Sequence, residues 1–280
     1  MCKPVGVAGN HKSDLVFAGS IPDLYETFLV PLIFQPYADD LASRVAELQS
    51  AAVLEVAAGT GVVTRAMASR LPPTSAITAT DLNQPMIDYA AALGTDAPVT
   101  WRQADGLALP FDDGSFDAVV CQFGAMFFPD RVKAYRECHR VLRPGGSLLF
   151  NVWDRIEDNE FAAAVTDAVA TLFPDDPPRF LVRTPHGYHD TEIIRADLVG
   201  AGFTSALQID TIEARSRAAL CTAPAIGYCQ GSPLRNEIEA RDASRLAEAT
   251  ATAAEVIGDR FGRADIDGKI QAHVIAAMKP

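Results

Sequence analysis

Short apolar runs alternate with segments of helical periodicity through the middle of this chain of 280 residues. The apolar runs predict strands near residues 52–57, 76–80, 98–103, 116–122 and 146–152. The segments that follow them predict helices near residues 61–70, 85–93, 129–142 and 159–172. This alternation predicts a parallel sheet whose strands are joined by right-handed helical crossovers.

The first predicted strand leads into a turn of small residues, Ala57-Ala58-Gly59-Thr60-Gly61. Small side chains let a ligand approach the backbone closely, and the helix start that follows offers free N–H groups. The same composition also suits a tight strand-to-helix turn that binds nothing. NAD binding is disfavoured, because Thr64 stands where the third small residue of Gly-x-Gly-x-x-Gly is expected.

An acid, Asp81, ends the second predicted strand, 22 residues after Gly59. At this place in a doubly wound sheet, an acid can accept hydrogen bonds from both hydroxyls of a ribose. Asp81 could instead cap the helix that begins near Pro85, and the two roles are compatible.

Three further segments complete an ordered set of motifs: residues 99–111 with Asp105-Gly106, residues 112–124 with Cys121-Gln122-Phe123, and residues 134–150 with Arg143-Pro144-Gly145-Gly146. In order and spacing, the set resembles the class I S-adenosylmethionine-dependent methyltransferases over about residues 50–155. The turn resembles that of the ubiquinone and menaquinone C-methyltransferase-like branch, which acts on small molecules. It departs from the common pattern at Ala57, where a glycine is usual.

The resemblance implies an α/β, doubly wound (Rossmann-like), seven-stranded, mostly parallel sheet with an N-terminal helical cap and a helical insert before the last strand. It implies S-adenosyl-L-methionine as the cofactor. The positions that match the family's cofactor-binding residues are Tyr25, Ala57, Gly59, Thr60, Gly61, Asp81, Leu82, Met86, Asp105, Gly106, Cys121, Gln122 and Phe123. Ordinary packing would equally explain Tyr25, and a loop cap before Leu107 would explain Asp105.

The resulting division of the chain has a flexible N-terminus at 1–20 and a single domain at 21–280. Within the domain we expect cap helices at 21–49, a cofactor-binding core at 50–155, a lid or insert on the substrate side at 174–258, and a final strand at 259–280. In the second half, Phe203 to Ile212 and Ile270 to Met278 are expected to be strands, and residues 217–258 to be helical.

The charge balance disfavours some classes of binding partner. With 36 acidic and 24 basic residues the net charge is −12, which disfavours nucleic acid and anionic membrane surfaces. No run approaches the roughly 18 apolar residues of a membrane span, and the N-terminus lacks a signal-peptide pattern. The five cysteines form no CxxC pair and the five histidines no HExxH, so we expect reduced thiols, no metal site and a cytoplasmic protein. The sequence leaves a homodimer open.

No catalytic residue is assigned by the motifs. Methyl transfer from a sulfonium requires that the acceptor be aligned with the methyl group, and it requires a base only when the acceptor carries a proton. The polar cluster His186-Gly187-Tyr188-His189 is the candidate substrate base, although surface or packing roles are the commoner use of such residues.

Two functions fit this chain: a methyltransferase acting on a small, partly apolar acceptor by in-line transfer, or a non-catalytic cofactor-binding or partner-binding module of the same fold. The apolar side chains that favour an enclosed acceptor, and that could equally be core, are Phe123, Met126, Phe127, Phe128, Phe173 and Phe180.

Overall fold

The computed structural model describes residues 12–280. The predicted flexible N-terminus therefore falls mainly on residues 1–11, outside the described part of the chain. Lys12–Leu15 form one short 3₁₀ helix.

Seven strands form a single sheet in the order β3-β2-β1-β4-β5-β7-β6. The strands are β1 (Ala52–Val56), β2 (Ala76–Asp81), β3 (Val99–Gln103), β4 (Phe116–Gln122), β5 (Leu142–Trp153), β6 (Leu207–Leu220) and β7 (Ala264–Met278). The first five are parallel, and β7 runs antiparallel between β5 and β6. The predicted doubly wound, mostly parallel sheet is confirmed, including the helices inserted before the last strand.

Helices cover both faces of the sheet, and α2 packs on α3, α5 on α8, and α6 on α11. They are α1 (Ile21–Leu24), α2 (Gln35–Glu47), α3 (Val62–Arg70), α4 (Gln84–Leu93), α5 (Arg131–Val141), α6 (Glu160–Leu172), α7 (Phe180–Arg183), α8 (Thr191–Gly200), α9 (Thr222–Gln230), α10 (Leu234–Asp242) and α11 (Leu246–Phe261). The core strands are buried on both faces, as a parallel sheet between helices requires.

The N-terminal cap is one continuous helical run rather than two separate helices. A π-helical segment, Tyr25–Phe34, joins α1 directly to α2. Pro31 lies inside this segment and has no N–H to donate, and the wider turns let the amide of Gln35 reach the carbonyl of Val30. The π-helical segment brings Tyr25 and Phe34 over the carboxyl ends of the strands.

The last two strands are longer than the sequence predicts. β6 extends to Leu220, so residues 217–220 are strand rather than helix, and β7 begins at Ala264 rather than Ile270. The added length forms a ribbon whose outer face is exposed, so its apolar signal is weak. Asp267 pairs there with Arg215 at 2.6 Å and Arg217 at 2.9 Å across the two strands.

No helix among residues 12–280 is both long and apolar enough to cross a membrane.

Candidate active site

A large cavity lies at the carboxyl ends of the parallel strands, where the loops after β1, β2, β3 and β4 converge. Its volume is about 250 Å³. Further walls come from the 3₁₀ helix at Lys12–Leu15, the π-helical segment, α7 and α9. Ligands of open α/β sheets bind at this edge, so the cavity is the candidate site.

The turn after β1 lies in the cavity wall with its backbone curled tightly. Ala57, Gly59 and Gly61 have φ angles of 57°, 57° and 85°. Ala57 and Gly59 line the cavity, whereas Gly61 does not. A Cβ at Gly61 would lie 2.9 Å from Cη2 of Trp101, so this glycine serves the turn and its packing.

Asp81 faces the cavity directly beside this turn. Its Oδ2 accepts a hydrogen bond from the amide of Gly59 at 2.9 Å, and its Oδ1 accepts one from the amide of Asn83 at 2.8 Å. Burial raises the pKa of Asp81, and these backbone donors oppose the shift by stabilising the carboxylate. Leu82 and Met86 line the adjoining wall, so the acid and the apolar residues predicted beside it come together.

Asp105 and Gly106 form the next part of the wall, after β3. Asp105 is exposed to the cavity mouth. Its Oδ1 accepts a hydrogen bond from the amide of Leu107 at 2.9 Å, which is the loop cap that the sequence analysis considered for this residue. A Cβ at Gly106 would lie 2.9 Å from Cε1 of Phe128, so only glycine fits between the loop and that ring.

The end of β4 contributes Gln122 and Phe123 to the cavity but not Cys121. The amide of Phe123, at φ 48°, donates to Oδ1 of Asn151 at 2.9 Å. Cys121 points away into the core, and burial raises the pKa of its thiol, which stays protonated.

Thr60 also lies off the cavity wall, although it belongs to the turn. Its side chain is buried, and its Oγ1 has no hydrogen-bond partner among residues 12–280. Its carbonyl accepts a hydrogen bond from Arg65 at 2.6 Å, and Arg65 also pairs with Glu26 in the π-helical segment. Arg65 therefore ties the N-terminal cap to the turn.

Glu55 supports the turn from below, as its position in β1 predicts. It is 1% exposed and accepts a hydrogen bond from the hydroxyl of Thr64 at 2.5 Å. Burial raises its pKa to about 8.

Beyond the turn, the cavity continues into an aromatic chamber formed by Phe34, Phe123, Phe127, Trp153 and Phe180. The rings of Phe123 and Trp153 stack in parallel with centroids 3.8 Å apart. Of the aromatic side chains singled out in the sequence, Phe123, Phe127, Phe128 and Phe180 line the cavity. The chamber offers large, rigid apolar surface to a bound molecule.

The polar groups at the chamber end are few, and the sequence predicted Gln122 and His186 among them. His186 lines the cavity, while its predicted companion His189 does not. Trp153, Asn159 and Tyr228 also line it and were missed, although the position of Trp153 at the end of β5 was a usable signal.

The charges on the cavity wall are confined to one end. Asp81 and Asp105 are the acids among the described lining residues, and these residues include no lysine or arginine. No cluster of three or more metal-ligating side chains occurs within residues 12–280.

Comparisons with known proteins agree with this geometry. A methyltransferase domain family model matches residues 54–150. The ubiquinone/menaquinone biosynthesis C-methyltransferase UbiE of Ectopseudomonas mendocina is 33% identical over 165 residues, which cover 54% of this chain and 64% of the relative. The corresponding protein of Pseudomonas aeruginosa strain LESB58 is 31% identical over 164 residues, with the same coverage.

Solved structures share the fold. The YcgJ protein of Bacillus subtilis matches with a TM-score of 0.55 and 21% identity, over 87% of this chain and 98% of that one. Phosphoethanolamine N-methyltransferase 2 of Haemonchus contortus, in complex with S-adenosylhomocysteine, matches with a TM-score of 0.58 and 16% identity, over 92% of this chain and 57% of that one.

The sheet order, the curled turn after β1 and the acid at the end of β2 define a doubly wound α/β domain with a candidate ligand site at the carboxyl ends of its strands. With the family match over residues 54–150, this part of the chain is similar to the class I S-adenosylmethionine-dependent methyltransferases. The resemblance seen in the sequence is confirmed.

Proposed function

We propose that this protein transfers a methyl group from S-adenosylmethionine to a small, partly apolar acceptor. The proposal is carried by one observation: a single cavity connects the turn, Asp81 and Asp105 with the aromatic chamber. A donor and an acceptor held in one water-poor space can be aligned for in-line displacement, which needs proximity more than any reactive side chain.

The residues at the strand ends fit the donor. Asp81 presents a carboxylate for the two ribose hydroxyls, and Met86 offers apolar surface to the flat base. Asp105 can accept a hydrogen bond from an exocyclic amino group, and Gly59 leaves the backbone open beside the hydroxyl of Tyr25. When bound, the donor supplies a methyl group already activated by a positively charged sulfur.

The acceptor end favours a small molecule over a macromolecule. The net charge of −12 opposes a nucleic acid, and the aromatic chamber opposes a hydrophilic peptide. The relatives named as quinone C-methyltransferases support a hydrophobic phenolic acceptor, but the segment that the family model matches, residues 54–150, contains the cofactor turn rather than the chamber as a whole.

The test has two stages. Calorimetry with S-adenosylhomocysteine should give saturable binding, and its absence would refute the cofactor assignment. Formation of S-adenosylhomocysteine is then followed against quinols, phenols, carboxylates and amines. Turnover of a phenol or quinol is expected; intact cofactor binding with no turnover of any class would favour a non-catalytic module instead.

A further inference from the structure

His186 has a fixed orientation at the chamber end of the cavity. Its Nδ1 lies 2.8 Å from the carbonyl oxygen of Asp154. A carbonyl oxygen only accepts hydrogen bonds, so Nδ1 must carry the proton. The lone pair of the neutral ring is therefore on Nε2, which has no hydrogen-bond partner among residues 12–280.

The ring is also neutral where it lies. The pKa of His186 is lowered to about 4, chiefly by burial and to a smaller extent by the nearby His189. The hydrogen bond to the Asp154 carbonyl and the negative charges of Glu157 and Asp154 act in the opposite direction, with smaller effects than burial. At neutral pH the ring can accept a proton.

Asp154, which anchors the ring, is itself held firmly at the end of β5. Its Oδ2 accepts a hydrogen bond from Nε2 of Gln271 at 2.6 Å, and its Oδ1 lies 3.3 Å from Nε2 of His273. Its amide donates to the carbonyl of Gln271 at 3.1 Å. The carbonyl that sets the tautomer of His186 is thus part of the sheet edge rather than of a loose loop.

The charges of the cavity wall limit what can bind beside this ring. A carboxylate acceptor would find no lysine or arginine among the described lining residues. An ammonium acceptor would find carboxylates only at Asp81 and Asp105, at the donor end. A neutral hydroxyl on an aromatic ring matches both the stacked walls and the single basic nitrogen.

We propose that His186 is the general base of the reaction and removes the proton of a neutral, hydroxyl-bearing aromatic acceptor. The inference rests on the proposed function. Nε2 takes the acceptor proton while the oxygen forms its bond to the methyl carbon. The carbon–sulfur bond breaks with its electron pair remaining on sulfur, so the single positive charge passes from sulfur to the imidazole.

This transfer of charge explains how a weakly basic ring serves as the base. A positive sulfur in the same cavity opposes a second positive charge on His186, and that opposition disappears as the methyl group leaves. Asp154 and Glu157 then stabilise the imidazolium. His186 gains basicity at the moment when the acceptor loses its proton.

The first test measures the protonation state of the two ring nitrogens of His186. Proton–nitrogen correlation spectra of ¹⁵N-histidine-labelled protein at pH 7 should show His186 protonated at Nδ1 and unprotonated at Nε2. Adding S-adenosylhomocysteine and phenol should shift the Nε2 resonance as it accepts a hydrogen bond. The proposal would be overturned by the opposite tautomer, by a charged ring, or by an Nε2 resonance that does not shift when phenol is added.

The second test is kinetic and uses His186→Asn, whose side-chain amide can keep the hydrogen bond to Asp154 but has no basic nitrogen. With a phenol acceptor, kcat should fall about 100-fold or more, while KM and S-adenosylhomocysteine affinity stay within about twofold. The control, His139→Gln, changes a histidine on α5 that packs on Phe203 away from the cavity, and it should retain wild-type kcat.

The two hypotheses fail differently. Failure of the proposed function would appear in the wild-type protein, as absent S-adenosylhomocysteine binding or as no turnover of any acceptor class. Failure of the general-base role would appear as wild-type kcat in His186→Asn, or as a His186 ring that is charged or protonated at Nε2, in a protein that still binds S-adenosylhomocysteine.

Discussion

The Cβ atom of Ala57 fills the space that any side chain at Gly124 would need: a Cβ built on Gly124 lies 2.6 Å from it. The two residues lie just after the neighbouring strands β1 and β4, and both line the cavity. Gly124 itself has φ −97° and ψ −30°, which any residue adopts, so sterics alone require glycine there.

Gly124→Ala should therefore lower the free energy of unfolding by about 1–3 kcal/mol through overpacking. In an Ala57→Gly background the same change should cost less, because one of the two clashing methyl groups is gone. Full relief is not expected, since Sγ of Cys121 also lies 2.8 Å from the added atom. Urea unfolding of the four proteins measures the coupling, and strictly additive costs would contradict the contact.

Ala57→Gly alone tests the strain of the turn. Alanine at φ 57° is in the left-handed region, at a cost of roughly 1 kcal/mol relative to glycine, so the substitution should leave stability unchanged or raise it. Ala163→Gly, in the interior of α6, is the matched control and should lose about 1 kcal/mol. Equal losses in both variants would show that the turn is unstrained.

Asp81 should control cofactor affinity. Asp81→Ala removes the carboxylate beside the turn and should weaken S-adenosylhomocysteine binding by roughly 1–3 kcal/mol, the usual size for losing hydrogen bonds to a charged group. Calorimetry measures the change. Asp88→Ala removes an exposed acid on the neighbouring helix α4 and should bind like wild type; parallel losses in both would point to a general charge effect instead.

Much of this site could be predicted because strand order brings strand ends together. Ala57, Gly59 and Asp105 follow predicted strands and Asp81 ends one, and a doubly wound sheet places such residues at one edge. The direction in which each side chain points could not be predicted in the same way. Thr60, Gly61 and Cys121 belong to the same motifs, yet the turn and the strand pleat direct them into the packing.

The chamber end could not be read from local pattern. His186 reaches the cavity because a carbonyl 32 residues earlier in the chain fixes its ring, and Tyr228 comes from the inserted helices. Neither contact leaves a periodic signal. The extension of β6 and β7 escaped prediction for a related reason, since cross-strand ion pairs at Asp267 replace the apolar alternation that marks a strand.

Glu55 should make stability fall as pH rises. Its pKa is near 4.5 in the unfolded chain and about 8 in the folded one, so the folded state binds the extra proton between these values. The stabilisation is complete below the unfolded pKa and is lost as pH rises through the folded pKa, at up to about 1.4 kcal/mol per pH unit. Glu55→Gln keeps an acceptor for Thr64 and should flatten this dependence.

Urea unfolding at pH 5.5, 7 and 8.5 tests this for both proteins, with Glu47→Gln, at the exposed end of α2, as the control. The wild-type protein and the control should lose stability across the series more steeply than Glu55→Gln. Identical slopes in all three would mean that Glu55 is ionised throughout.

Arg183 should hold in place residues 13–17, which contribute Leu15 and Phe17 to the cavity wall and are called the roof of the cavity below. Arg183 pairs with the fully buried Asp14 at 2.7 Å and with Glu237 on α10, while Leu15 and Phe17, beside Asp14, line the cavity. Arg183→Met removes the charge that both carboxylates share, and breaking such a buried pair costs about 3–5 kcal/mol. We expect that loss in urea unfolding, and faster hydrogen exchange of the amides at residues 13–17.

The control for the roof is Arg195→Met, because Arg195 lies 4.0 Å from a largely exposed Glu192 on α8. That change should stay within about 0.5 kcal/mol of wild type and leave exchange at residues 13–17 unaltered. If Arg183→Met were equally mild, the roof would be secured by the apolar contacts of Leu15 and Phe17 alone. If it unfolded the whole domain without selective exchange at 13–17, the ion pairs would serve the core rather than access to the cavity.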